Sequence, residues 1–347
     1  MRFLGLPNES TLKFYNACSS GVGSADKKNR LRIYRGQVIG ASDAYEASCK
    51  THQIHQIISS YVEINKLATV PYVSKEELNR LYEYQIKEGR PGRDIYNRLL
   101  VTPNRRCPFC SVGTVKNLDH FIPKAHFPIF SVTTSNLVPS CRDCNMDKNS
   151  DFSTDIRKQT LHPYFDNVSD VQWLYAEIVD NSFPVVVNYF VDTSLIKSSA
   201  LASKVVAHFE EYDLANIFID LASVRVNEIH DNCKKRFQEG GASSLNKFLD
   251  EAKKSEEKVF KNSWSVAMYG ALLNSSWFCE KAFISIRREI KPTNNEKCYI
   301  CDGQEVSECK YCKPYHNKDC SVCQGTSIMT SSNCPACKGT GLSASGN

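Results

Sequence analysis

Apolar residues recur at helical spacing in several stretches of this 347-residue chain. From about Tyr45 to Leu67 they fall at Ile54, Ile57, Ile58, Tyr61 and Ile64, along one helical face. Ser74-Lys-Glu-Glu77 then reads as a capping box, in which serine and glutamate satisfy donors of the first turn, and predicts a helix toward Lys87. Gly89 and Pro91-Gly92 interrupt it before a short helix from Asp94 to Leu100. Between 194 and 288, Leu195, Leu201, Val205, Val206 and Phe209 mark helix again, with breaks at Gly240-Gly241 and near Asn262-Ser263. Two strand-like runs, Gln172–Val179 and Pro184–Val191, flank turn material at Asp180-Asn181-Ser182 and predict a hairpin. Gly21, Gly23, Ser24 and the Lys27–Arg30 run predict a loop within a mixed or helical start over 1–74. The prolines Pro123, Pro128 and Pro139 predict mostly loops and short hairpins between 105 and 166, and Pro292–Asn295 reads as a linker.

Composition is that of a folded chain with room for two or three domains. No apolar run reaches the length of a membrane span, and the N-terminus lacks a signal-peptide core, so a soluble, cytosolic (cytoplasmic) protein is expected. Cysteine usage changes the picture more. Of sixteen cysteines, twelve form six Cys-x-x-Cys pairs, the spacing that aims two thiolates at one tetrahedral ion. In an intracellular chain such pairs favour zinc over disulfides. Cys18, Cys49, Cys233 and Cys279 stand apart and read as small buried hydrophobes. Twelve thiolates on three Zn²⁺ take the formal charge from +5 to about −1, so net charge offers no argument for nucleic acid. Local charge offers one: Lys87, Arg90, Arg93, Arg98, Arg105 and Arg106 lead into the first pair, either as a phosphate-binding face or as a solvated helix surface.

Cys107-Pro-Phe-Cys110 and Cys141-Arg-Asp-Cys144 bracket Asp119-His120 and Asn136-Leu-Val-Pro139, and Asn145 and Lys148 follow the last cysteine. With Phe121-Ile-Pro-Lys124 and Leu161-His-Pro-Tyr-Phe-Asp166 beside it, this segment of about sixty residues resembles the HNH endonucleases, whose fold is the ββα-metal (His-Me) finger. The resemblance implies one structural zinc on Cys107, Cys110, Cys141 and Cys144. It makes His120 the general base toward water, a task an imidazole suits because its ordinary pKa lies near neutral. Asp119 and Asn145 would ligate a catalytic Mg²⁺ or Mn²⁺, as oxygen donors suit such ions. Asn136 would hold the loop that carries His120. Lys148, and less directly Lys124 and Arg142, would contact phosphate. Ser111 stands where a glycine is frequent, and Asn145 where many members carry the final histidine. His126 and His162 read as structural, His162 packing against the finger. With the helical region after it, the centre resembles the nucleases of antiphage systems of the Septu and retron-associated kinds, which work beside an ABC-type ATPase; residues 194–288 would then offer that partner a surface.

The C-terminal pairs are Cys298/Cys301, Cys309/Cys312, Cys320/Cys323 and Cys334/Cys337, with Gly303, Gly325, Gly339 and Gly341 after three of them. This resembles the cysteine-rich zinc domain of DnaJ-type chaperones, which implies two zinc ions, the outer pairs sharing one and the inner pairs the other. Lys313-Pro314-Tyr315 replaces the glycines after the second pair, and no His-Pro-Asp motif accompanies the module, so no chaperone activity is inferred. Eight cysteines in forty residues with little apolar sequence need metal to fold.

The expected class is therefore α+β: a zinc-stapled ββα-metal HNH finger within a mostly helical protein, plus a small irregular C-terminal zinc domain. The expected divisions are 1–86 (mixed or helical), 87–166 (nuclease), 167–292 (hairpin and helices) and 293–347 (cysteine module). The expected function is metal-dependent hydrolysis of phosphodiesters, DNA before RNA. The alternatives are an RNA- or tRNA-cleaving enzyme and a non-catalytic zinc adaptor that binds protein or nucleic acid.

Overall fold

Serines set the starts of most helices. The computed structural model describes residues 1–59, 73–148, 152–284, 306–308 and 328–330. Ser10 caps α1 (Thr11–Ser20), Ser24 caps α2 (Ala25–Lys50), and Ser74 caps α3 (Lys75–Gln85), each by accepting a backbone N–H of the first turn. At Ser74 the reciprocal bond from Glu77 is present too, so the capping box is complete. Ser24 thereby corrects the expected loop: Lys27–Arg30 are helical, and Arg30 pairs with Glu77 at 2.7 Å. The helix expected from Tyr45 is broken in its first part. α2 ends at Lys50, His52 takes φ 58, and helix resumes over 54–59; Tyr61 and Ile64 lie outside the described residues.

After α4 (Arg93–Leu99) come two short strands, β1 (Asn117–His120) and β2 (Leu137–Ser140), then α5 (Arg142–Lys148). The strands are antiparallel, with Leu118 opposite Pro139 and His120 opposite Leu137. Leu118 and Leu137 join Phe14, Val38, Leu78 and Leu81 in one buried cluster, which seats the hairpin on α1–α3. Alternation along β1 then turns Leu118 and His120 toward those helices and Asp119 the other way.

The second hairpin pairs β3 (Leu174–Ile178) with β4 (Val187–Val191), packed beneath α6 (Ser199–Glu211), α7 (Leu214–Val259) and α8 (Trp264–Asn274). Gly240 and Gly241 take non-helical φ/ψ inside α7, and Asn262 separates it from α8, bonding the N–H groups of Trp173 and Leu174. Both expected breaks are therefore real, and the second also anchors the hairpin. Helix with small sheets makes the chain α+β in class.

The backbone groups into two units, Met1–Ser275 and Ser276–Asn347; the expected boundaries at 86 and 166 run inside the first. In the second, a π-helical turn spans Trp277–Lys281, and β5 (Val306–Glu308) pairs antiparallel with β6 (Ile328–Thr330). Cys298, Cys301, Cys309, Cys312, Cys320, Cys323, Cys334 and Cys337 lie outside the described residues. No helix among the described residues is long and apolar enough to cross a membrane.

A candidate metal centre and the Asp119–His120 site

Two tight turns bring four thiols together. The first is closed by Ser111 N–H to Cys107 O and by Cys107 N–H to Gly113 O, both at 2.8 Å. Ser111 takes φ 66, a left-handed conformation that favours glycine, which accounts for the glycine frequent at that place in the resembled family. Gly113 cannot carry a side chain: a Cβ there would lie 2.7 Å from Cys141 Cβ. The second turn is the start of α5. All four Sγ atoms of Cys107, Cys110, Cys141 and Cys144 lie within 4.8 Å of one another, fully buried. Zinc–sulfur bonds of about 2.3 Å at tetrahedral angles set sulfurs about 3.8 Å apart. Cys110 Sγ and Cys141 Sγ are 3.9 Å apart, so the cluster could hold a metal ion such as zinc. The four thiols hydrogen-bond one another, which pulls Cys110 below the ordinary thiol value and pushes Cys141 and Cys144 above it.

The same frame positions Asp119 and His120. His120 ends β1 with its ring edge-on to Tyr82, centroids 4.6 Å apart, and Nε2 lies 2.9 Å from Ser131 O. A carbonyl can only accept, so Nε2 carries the hydrogen and Nδ1 is the proton acceptor. Burial pulls the imidazole pKa down to about 3, and Lys124 and Lys148 add to the effect, so the ring is neutral at physiological pH. Asp119 is also buried, which raises its carboxyl pKa against the opposing pull of Lys148. Its Oδ2 is 3.3 Å from Lys148 Nζ yet makes no hydrogen bond of good geometry.

Lys148 corrects an expectation. Its side chain is buried, and its Nζ donates to His120 O at 2.8 Å, between that carbonyl and the Asp119 carboxylate. It braces the site from inside and does not project toward a phosphate. Lys124 is partly exposed and paired with Glu83 at 2.5 Å; Arg142 is exposed on the first turn of α5. Asn145 is half-buried, three residues before Lys148 and so on the same side of α5.

Asn136 is fully buried and uses both ends of its amide. Oδ1 accepts Ile122 N–H at 2.7 Å, while Nδ2 donates to Ile122 O at 3.1 Å and Phe130 O at 3.3 Å. It thus pins both sides of the 121–136 loop directly after His120. Asn136→Ala would leave the buried Ile122 N–H and C=O without partners, Phe130 O keeping Thr133 N–H at 3.2 Å, and is expected to cost about 3 kcal/mol in urea unfolding, with the bound metal retained. A loss under about 0.5 kcal/mol would mean that water replaces the amide.

The Leu161–Asp166 segment packs beside the loop. His162 is buried, its Nδ1 accepting Tyr164 N–H at 3.2 Å and its Nε2 lying 2.8 Å from Tyr45 Oη, with the ring 4.1 Å from that of Phe121. Asp166 Oδ2 takes Lys204 Nζ at 2.9 Å and His162 N–H at 2.7 Å, tying α6 to the finger. His126 is exposed, 5.1 Å from the Phe152 ring. The basic run before the first knuckle is mostly engaged: Arg90 bonds Tyr84, Arg98 bonds Glu9, Arg106 bonds Val112 O, and Arg93 donates to Ile86 O. Tyr82, Ser131 and Lys204 gave no signal in sequence, because their roles arise only when distant segments meet.

The chain is similar to protein ea31 of Escherichia phage lambda, 29% identical over 295 residues that span 80% of this chain and 99% of that protein. No protein-family model matches the chain. No solved structure matches it.

Proposed function

We propose that the chain is a metal-dependent endonuclease of the HNH kind, acting on DNA. The observation that carries this reading is the pairing of a fixed neutral imidazole with a buried, under-bonded carboxylate, one residue apart on a cysteine-stapled ββα unit. The held Nε2–H leaves His120 Nδ1 to take a proton from water attacking a phosphodiester. The depressed pKa keeps that nitrogen free of protons, and an incoming phosphate would raise its basicity.

Asp119 Oδ2, buried beside Lys148 Nζ at 3.3 Å, would take a divalent ion in exchange for that ion pair, and Asn145 on α5 would supply a neutral oxygen. Such an ion, when bound, stabilises negative charge on the phosphate and on the leaving oxygen. Lys148 pairs with the Asp119 carboxylate and holds the His120 carbonyl in place. Asn136 keeps the loop beyond His120 from sagging. The four thiols serve as frame and have no part in the chemistry.

The test is cleavage of plasmid DNA and of tRNA by the full chain with Mg²⁺ or Mn²⁺. His120→Ala is expected to slow cleavage by about 10²–10⁴-fold while leaving zinc content and thermal unfolding intact. Cleavage that survives the substitution would remove His120 from the chemistry. A folded native chain that cuts neither nucleic acid would favour the adaptor reading.

A further inference from the structure

Lys148 sets a single positive charge beside the carboxylate to which the nuclease reading assigns a divalent ion. Its Nζ donates to His120 O at 2.8 Å and stands 3.3 Å from Asp119 Oδ2, which gains no hydrogen bond of good geometry from it. An ammonium has three donors and no acceptor; here the backbone carbonyl takes the well-aligned one, and the carboxylate is left half-served. A divalent ion bonds a carboxylate oxygen at about 2.0–2.6 Å. Two cations on one buried carboxylate repel strongly, because the protein around them screens little. An ion on Asp119 Oδ2 and the ammonium of Lys148 therefore compete for the same oxygen.

The fold leaves the ammonium somewhere to go. Lys148 lines a cavity of about 180 Å³ together with Phe121, Lys158, Thr160 and Glu211. An ammonium needs about the space of a water molecule, roughly 30 Å³, so the cavity has room for it. The Phe121 ring centroid is 6.0 Å from Lys148 Nζ, within the range at which an aromatic face attracts a cation. Glu211 supplies a second carboxylate in the same wall. It is exposed and is the last residue of α6, where the carbonyl end of the helix adds to the negative potential. Lys158 shares that wall but is exposed, so water accepts its charge.

We propose that Lys148 is a displaceable internal counter-ion, whose ammonium neutralises Asp119 until a divalent ion binds and then moves past Phe121 to Glu211. This role rests on the nuclease reading and adds regulation to it. Each binding event first breaks the Lys148–Asp119 pair and the bond to the His120 carbonyl, so the affinity for metal is set below what the oxygen donors alone would give. Lys148 acts through Asp119 and touches neither metal nor substrate, which makes it a positioning residue.

The experiment titrates the zinc-loaded full chain with Mn²⁺ in the absence of nucleic acid and reads free Mn²⁺ by electron paramagnetic resonance. Lys148→Met keeps the stem and removes the competing charge, and is expected to bind Mn²⁺ about tenfold tighter than the native chain. A purely structural lysine would give no such gain. Adding Asp119→Asn to Lys148→Met should abolish the gain, which ties it to this carboxylate. Glu211→Gln should weaken binding to the native chain about threefold and leave the Lys148→Met affinity unchanged, since Glu211 matters only while there is an ammonium to receive. Glu211 is exposed, so its variant reports even where Lys148→Met disturbs folding. A Lys148→Met chain that binds no tighter than the native one overturns the displacement, and the nuclease reading stands if Asp119→Asn alone still removes Mn²⁺ binding. A Glu211→Gln chain as tight as the native one overturns the move to Glu211. Mn²⁺ bound by no form of the chain overturns both the displacement and the metal-dependent reading.

Discussion

Cys144→Ser is expected to abolish cooperative unfolding of the 1–275 unit, an effect far larger than that of any cysteine in it outside the four-thiol cluster. The elements around the site cannot stand alone. β1 and β2 have four residues each and α5 has seven, and a two-stranded hairpin or a two-turn helix is marginal in water. What closes them is the cluster of four buried thiols. A structural zinc ion is worth about 10–16 kcal/mol in small zinc-dependent units, comparable with the 5–15 kcal/mol that whole domains possess. The hairpin in turn supplies Leu118 and Leu137 to the core built on α1–α3, so losing the frame opens that core as well. Cys18 lies in the same core outside the cluster, and Cys18→Ala is expected to cost only about 1–3 kcal/mol. Thermal melts read by circular dichroism, together with zinc analysis, separate the cases. A Cys144→Ser protein that melts within a few degrees of the native chain would show that packing alone holds the frame.

What the sequence showed and what it hid divide along physical lines. Local chemistry was legible. The Ser74 box, the Gly240-Gly241 break, the stop near Asn262 and the β3–β4 pairing each depend on residues within a few positions of one another. The cysteine cluster was legible because metal-ligand spacing is stereotyped. Ser24 was misread because the charged run after it looks like a loop, although those charges lie on the outer face of a helix that Ser24 caps. Lys148 was misread for a tertiary reason. Its long stem lets the ammonium be drawn inward by a carboxylate on another element, and nothing in the sequence around it shows that the carboxylate is there. Ser131 contributes only its backbone carbonyl to His120, and a backbone group carries no residue signature at all.

Buried histidines make acid the second large lever on this protein. His120, His162 and His208 are all buried, and burial depresses each imidazole pKa to about 3. In the unfolded chain each ring titrates near 6.5. Below that pH the unfolded state binds protons that the folded state refuses, so stability falls as pH drops from about 6.5 toward 3. Between pH 7 and 5 the three rings together are expected to remove about 6 kcal/mol, most of what a domain has. Asp119 works the other way: burial raises its carboxyl pKa, so the folded state accepts a proton sooner and recovers a small part of the loss. Thiolate protonation and metal release act in the same direction as the histidines, so urea unfolding at pH 7 and 5 is compared in the presence of excess zinc. His208 gives the internal control. Its Nε2 donates to Phe109 O inside the first knuckle, and it lies outside the Asp119–His120 site. His208→Gln should lower stability at pH 7 while shrinking the pH 7-to-5 difference by about 2 kcal/mol, because one ring no longer titrates. A native chain whose stability changes by less than about 2 kcal/mol over that range would mean that the folded protein lets these rings charge. In that event His120 would titrate close to the ordinary imidazole value, nearer the pH at which a general base works best, and burial would not be what keeps it neutral.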